Sequence, residues 1–456
     1  MRMDDNDPRR WAAQLAVLHA TVAWHAARPA TPVASQQARR LLVDTLGCAL
    51  AGRHAGEVQR LEAALADCEP GGFALPDGPS MSVHAASQVL AMAATWDEAC
   101  EGHALAHGRP GVPLVAALLP LALQRGATLS AFVDAFVLGY EVGARCGAWL
   151  RIRPGMHVDA NWPALGVAAG VARLLGLAPA AIVQAIDIAA CQLATSLYLP
   201  VAQGRTARNT YLGHSASLGL QAAFASAAGI DAPPDALAHY ANAHADATSQ
   251  ALPDVQATLL LDAYLKPFAA VRHVHYGAVA ARQVREELAG DTEGIQGIVL
   301  EVYEEAIVYC GNRAPRTPIQ AQFSLSFGVA AMLRFGDIDP SVYTEARFDD
   351  AELRRLEALV VLAPDAELSA RKQRGATLVV AHARGRWRQT VRTIPGDAAH
   401  PLDRAALAAK FGRYAARSIP ADHASAFCDA VLDADDIDMR LLWQRLAPLH
   451  ITSPRP

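Results

Sequence analysis

From Trp11 to about Tyr264 the apolar residues of this chain recur at three- and four-residue spacing, with Ala and Leu dominating. That period belongs to the helix and not to the strand. More than half of the chain is therefore committed to packed helices. Arg39–Gly52 reads as a helix ended by its glycine. Ser130 reads as the N-cap of a helix running through Tyr140 to about Trp149. In Leu165–Leu175 the small residues Gly166, Ala168, Ala169, Gly170 and Ala172 would let neighbouring helices approach closely. Ala180–Leu193 and Ser215–Ala228 are further helices, the second closed by Gly229.

The period changes after Lys266. A helix from about Gly277 to Leu288 leads into Ile295–Tyr303, which reads as a strand, and Leu356–Leu362 is a second strand candidate. Ala376–Ile394 reads as a hairpin turning near Arg384-Gly385. After Pro401 the helical period returns, over Arg404–Ala416 and on to Leu446. A length of 456 residues favours two domains. The expected fold is mainly α: a large all-helical domain formed by both chain ends, residues 1–265 and 401–456, with an inserted smaller α+β lid domain at 266–400.

Several classes of function are excluded. A net charge of −5 with no dominant basic stripe argues against nucleic acid. The longest apolar run, Val112–Leu123, is too short to span a bilayer and contains two prolines, so no membrane association is expected. The polar, acidic first residues lack a signal-type apolar core, which gives a cytoplasmic expectation. The seven cysteines are scattered without a C-x-x-C pair, and no histidine pair has metal-ligand spacing, so neither a zinc site nor a disulfide framework is signalled. There is no P-loop, no G-x-S-x-G and no dinucleotide fingerprint.

The chemistry-bearing residues fall into clusters. Trp96–Pro113 holds Asp97, Glu98, Glu101, His103, His107 and Arg109 between apolar helices, a polar density that helix packing does not require. Its histidines would lie near a helix N-terminus, a natural anion site. Gly139–Arg145 offers Tyr140 and Arg145. Gly155–Gly166 offers His157 in a polar turn, suited to proton transfer near neutrality. Gly204–His214 offers Arg208, and arginine grips carboxylates bidentately. Lys266–Tyr276 combines one of only three lysines with Arg272, His273 and His275, and Tyr309–Arg313 forms a polar turn. Each cluster has a plain structural reading as a cap, a solvated loop or a packed helix. Together they supply cations and titratable groups without a cofactor anchor, which fits a polycarboxylate substrate and proton transfer beside a carboxylate.

Taken in order, these pieces resemble the MmgE/PrpD family, which includes 2-methylcitrate dehydratase, cis-aconitate decarboxylase and iminodisuccinate epimerase. The resemblance rests on Leu41–Gly52, Pro110–Pro113 with its helix, Gly139-Tyr-Glu-Val, Ala172–Leu177, Arg208–Gly213, Lys266-Pro-Phe and Ala321–Phe327. It implies a helical domain from both termini with an inserted lid, a homodimer, and an active site between the domains that uses neither metal nor organic cofactor. Lys266, His157 and His275 match recurrent family positions, and Tyr309 lies near a family tyrosine. The family's acidic D-x-D-D-type motif falls on Thr95–Glu98, so only Asp97 and Glu98 keep carboxylates. The histidine before proline falls on Arg109, with His107 two residues earlier. A lysine of some members falls on Arg208. The histidine that decarboxylases carry is absent around Ala269–Val271. These departures point away from cis-aconitate decarboxylase and 2-methylcitrate dehydratase.

The expected activity is a cofactor-independent lyase, of dehydratase or decarboxylase type, on a small di- or tricarboxylate. The alternatives are an epimerase of a dicarboxylate, of the iminodisuccinate type, and a non-catalytic carboxylate-binding member. The expected catalytic residues are Asp97, His107, His157, Lys266 and Tyr309. The expected substrate-binding residues are His103, Arg109, Tyr140, Arg208, Arg272 and His275, with no metal ligand.

Overall fold

Two glycines let two core helices cross in backbone contact. A Cβ on Gly139 would stand 2.7 Å from the Gly166 carbonyl oxygen, and one on Gly166 would stand 2.6 Å from that of Gly139. The helices that carry them, Leu129–Trp149 and Pro163–Leu174, therefore touch backbone to backbone. The computed structural model describes residues 8–153, 155–244 and 251–446. The polar amino-terminal stretch lies outside the described residues.

The chain is mainly helical. The helices Pro32–Gly52, Val83–Thr95, Gly111–Arg125, Leu129–Trp149, Pro163–Leu174 and Tyr211–Ala227 pack around one apolar core. Residues from Leu402 to Leu446 join the same core, so both ends of the chain build it. Buried side chains such as Leu118 and Phe136 contribute about 1.5–3 kcal/mol each. Lys410 ties the late helix Arg404–Ala415 to the early one: its ammonium donates to Asp44 Oδ1 at 2.5 Å and to the Ala99 carbonyl at 2.8 Å.

A second core gathers residues from Phe268 to Ile394. Its four-stranded sheet has the order Val360–Pro364, Ile295–Val302, Ala376–His382, Gly385–Val391. The first pair is parallel and the other two are antiparallel. The helices Arg272–Glu287 and Leu325–Phe335 belong to this core.

Two local expectations are corrected. The helix ending at Trp149 is capped by Thr128, whose hydroxyl accepts from the Ala131 amide, and not by Ser130. Ser130 already lies in the first turn, and its amide donates to Asp436. Residues 356–359 are helical, because Asp350 caps a helix over Ala351–Leu359 and buries Leu353 and Leu356; the strand begins at Val360.

Candidate active site

The loop after Val83–Thr95 is held from four distant places. Arg208 donates to the Thr95 carbonyl at 3.2 Å and Gln322 to that of Trp96 at 3.0 Å. Lys266 donates to the Glu98 carbonyl at 3.0 Å, and Lys410 binds that of Ala99. Glu98 itself sits at φ +52°, a left-handed conformation that costs a non-glycine residue about 1–3 kcal/mol. These contacts hold it there.

The Glu98 side chain is the hub of a cation cluster. Its carboxylate receives Lys266 Nζ at 2.6 Å, Arg208 Nη2 at 2.6 Å and Arg109 Nη1 at 2.8 Å. Burial alone would raise its pKa, but Arg109, Lys266 and Arg208 outweigh burial and hold it well below the ordinary value. Arg109 also pairs with Asp159. Burial pushes Asp159 up, and Arg109, His157 and Arg208 reverse this and hold it down.

His157 follows from the same arrangement. Residues Met156–His157 pair with Ser196–Leu197, and the ring lies against those of Tyr198 and Tyr211 at centroid distances of 6.0 and 5.6 Å. Its Nδ1 accepts from the Asp159 amide at 3.2 Å. Burial lowers its pKa to about 4, although Asp159 opposes the shift. His157 is thus neutral at pH 7, with Nδ1 as acceptor and the proton on Nε2.

These groups line one cavity of about 570 Å³ between the two cores. Seven cationic side chains face it against three carboxylates. His107, at φ +54°, stands at its exposed edge. From the second core come Arg272, His273 and Tyr309. Tyr309 is about half exposed and touches Tyr198 edge-on across the cavity, with ring centroids 5.8 Å apart. The Arg272 guanidinium pairs with Asp397 and lies 4.4 Å from the Tyr264 ring centroid, yet among the described residues its buried Nε and Nη1 have no hydrogen-bond partner.

The structure brings His103, His107, Arg109, His157, Arg208, Lys266, Arg272 and Tyr309 to one cavity and sets Asp97, Tyr140 and His275 apart. Tyr140 lies in the apolar core and donates to Glu101 Oε2 at 3.3 Å, behind the cavity wall. His275 is fully buried and does not line the cavity, with Nε2 donating to the Ala270 carbonyl at 2.9 Å. Asp97 is not among the lining residues; its nearest charged influence is Asp339, which adds to burial in raising its pKa to about 7. His103 touches the cavity, but Nε2 donates to the Leu259 carbonyl at 2.9 Å and Nδ1 accepts from the Ala106 amide at 3.2 Å, so the ring is fully committed. The helix N-terminus at Gly111 is likewise filled: Glu101 Oε1 accepts its amide at 2.7 Å.

Sequence reasoning missed Glu98 as the hub, and Asp159, Tyr198 and Arg374 as lining groups. Asp159 stands two residues after His157 and could have been suspected. Arg374 carries no local signal at all. Among the described residues no group of three or more His, Cys, Asp or Glu side chains could hold a metal ion, and no helix is long and apolar enough to cross a membrane.

The chain belongs to the MmgE/PrpD family. The family model for the MmgE/PrpD N-terminal domain matches residues 17–253, and that for the C-terminal domain matches residues 268–436. No curated protein matches the chain.

Proposed function

We propose that this chain is a cofactor-independent lyase on a small di- or tricarboxylate, with the second core acting as the lid of the active site. Family membership supports an enzyme of the dehydratase or a related class. The observation that carries the reading is the cavity itself: cations in excess, with neutral His157 beside them. In this reading His107 takes a proton from the carbon next to a substrate carboxylate. Partial burial, then Arg151 and Arg374, keep His107 below its ordinary pKa and so ready to accept it. The enolate-like charge that develops is stabilised by Lys266 and the arginines around it. His107, now an imidazolium, gives that proton to the leaving hydroxyl, which departs as water, while the Nε2–H of His157 donates a hydrogen bond that orients the hydroxyl without being transferred. The proton count closes: one proton leaves carbon and the same proton reaches oxygen, so both histidines end neutral.

Tyr309 lines the same cavity from the other core and touches Tyr198, whose ring lies against His157, which supports a second reading, epimerisation with reprotonation on the opposite face. Incubation of di- and tricarboxylates in deuterated water, followed by NMR, separates the two. A lyase yields an unsaturated product; an epimerase washes deuterium into the substrate without loss of mass balance. Thermal stabilisation by these acids with neither outcome would favour a non-catalytic binding protein and overturn the proposal.

A further inference from the structure

Four of the cavity's seven cations are already ion-paired: Arg109, Arg208 and Lys266 meet Glu98, and Arg272 meets Asp397. Arg151, Arg153 and Arg374 form no ion pair among the described residues. Arg151 follows the helix Leu129–Trp149 on the first core, and Arg374 precedes the strand Ala376–His382 on the second. Both are half-buried, whereas Arg153 is exposed at the rim. Both lie close enough to His107 to oppose its protonation. Tyr303, Tyr264 and Tyr276 act on Arg374 electrostatically, and Glu305, which also lines the cavity, makes no ion pair with it among the described residues. Arg374 and His107 also line an adjoining cavity with Lys372, Glu304 and Glu305, all three exposed, so this end of the site opens toward solvent.

A half-buried guanidinium without a counter-ion is costly unless a ligand supplies one. We propose that Arg374 and Arg151 together form a carboxylate-binding subsite at the outer end of the cavity, one arginine from each core, opposite the inner cluster whose anion is Glu98. A substrate with two separated carboxylates would place one here, while the inner end, still one cation in excess over Glu98 and Asp159, stabilises charge at the reacting carbon. Because the two arginines come from different cores, the bound carboxylate also draws the cores together. The assignment rests on the carboxylate-enzyme reading above.

Isothermal titration of the full chain with succinate, citrate and succinamate tests it. Wild type should bind succinate at least tenfold more tightly than succinamate, which has lost one carboxylate. Arg374→Gln and Arg151→Gln should each weaken succinate at least tenfold and bind succinate and succinamate alike, while Arg153→Gln should bind as wild type. Circular dichroism confirms that each variant is folded. If wild type binds succinate or citrate and the Arg374 and Arg151 variants bind them equally well, the subsite is overturned and the enzyme reading stands. If wild type binds none of the three, both fall.

Discussion

The Lys266 ammonium reaches Glu98 twice, donating to its carboxylate at 2.6 Å and to its backbone carbonyl at 3.0 Å. One side chain thus holds both the charge and the strained backbone of the residue at the cavity's inner end. Lys266 lies where the chain passes from the first core to the second, so the contact also ties that passage to the loop.

Glu98→Ala leaves three buried cations facing one another. Breaking such a network should cost about 3–5 kcal/mol, read from chemical denaturation. Formate should restore part of this stability in the variant and have far less effect on wild type. Equal responses to formate would show that Glu98 does not fill an anion site.

Lys266→Ala and His157→Ala should each lower turnover of a confirmed substrate at least about tenfold, the scale of one lost acid–base or electrostatic group. Circular dichroism should show both variants folded. Wild-type-like rates in both would refute the roles proposed for them.

Tyr140→Phe should leave turnover and KM unchanged, because the hydroxyl faces Glu101 behind the cavity wall. It should cost about 1–3 kcal/mol of stability through the acceptor left unpaired. A raised KM would return Tyr140 to the substrate site.

Glu101 predicts a stability trend with pH. Burial raises its pKa from 4.5 to about 8, with the Gly111 amide opposing. The folded chain therefore keeps a proton that the unfolded chain has lost between those values. This contribution is complete below about pH 4.5, falls as pH rises, and is gone above about 8. Glu101→Gln cannot titrate, so its melting temperature at pH 8 should exceed that of wild type by a few degrees. Parallel melting profiles would contradict the assignment.

Gly139→Ala should destabilise by about 1–3 kcal/mol, since the added methyl meets a carbonyl oxygen that can move only with its helix. Denaturant midpoints measure this, and a neutral substitution would mean that the helices can part.

The helical period marked the helices on either side of the site, and the alternation near Ala376–His382 marked the hairpin. Both signals are local, because a buried face repeats with its own backbone geometry. The strand starts only at Val360, because Asp350 upstream caps a helix that runs through Leu359. The rare lysine at 266 and the histidine at 157 were legible as unusual residues in polar turns. Tyr140, His275 and His103 looked equally unusual, yet each points its polar atoms into packed backbone or a buried acid.

By itself the sequence determined a mainly helical chain, a change of texture after Lys266 and a surplus of arginine near the loops. Only the tertiary structure decided which cations are already ion-paired and which are not. Ion pairing depends on separations of a few ångströms between residues as far apart as Glu98 and Lys266, or Arg272 and Asp397. No spacing along the chain encodes those separations, so the position of Glu98 as an internal anion, and of Arg374 and Arg151 as cations without an ion pair among the described residues, is visible only after folding.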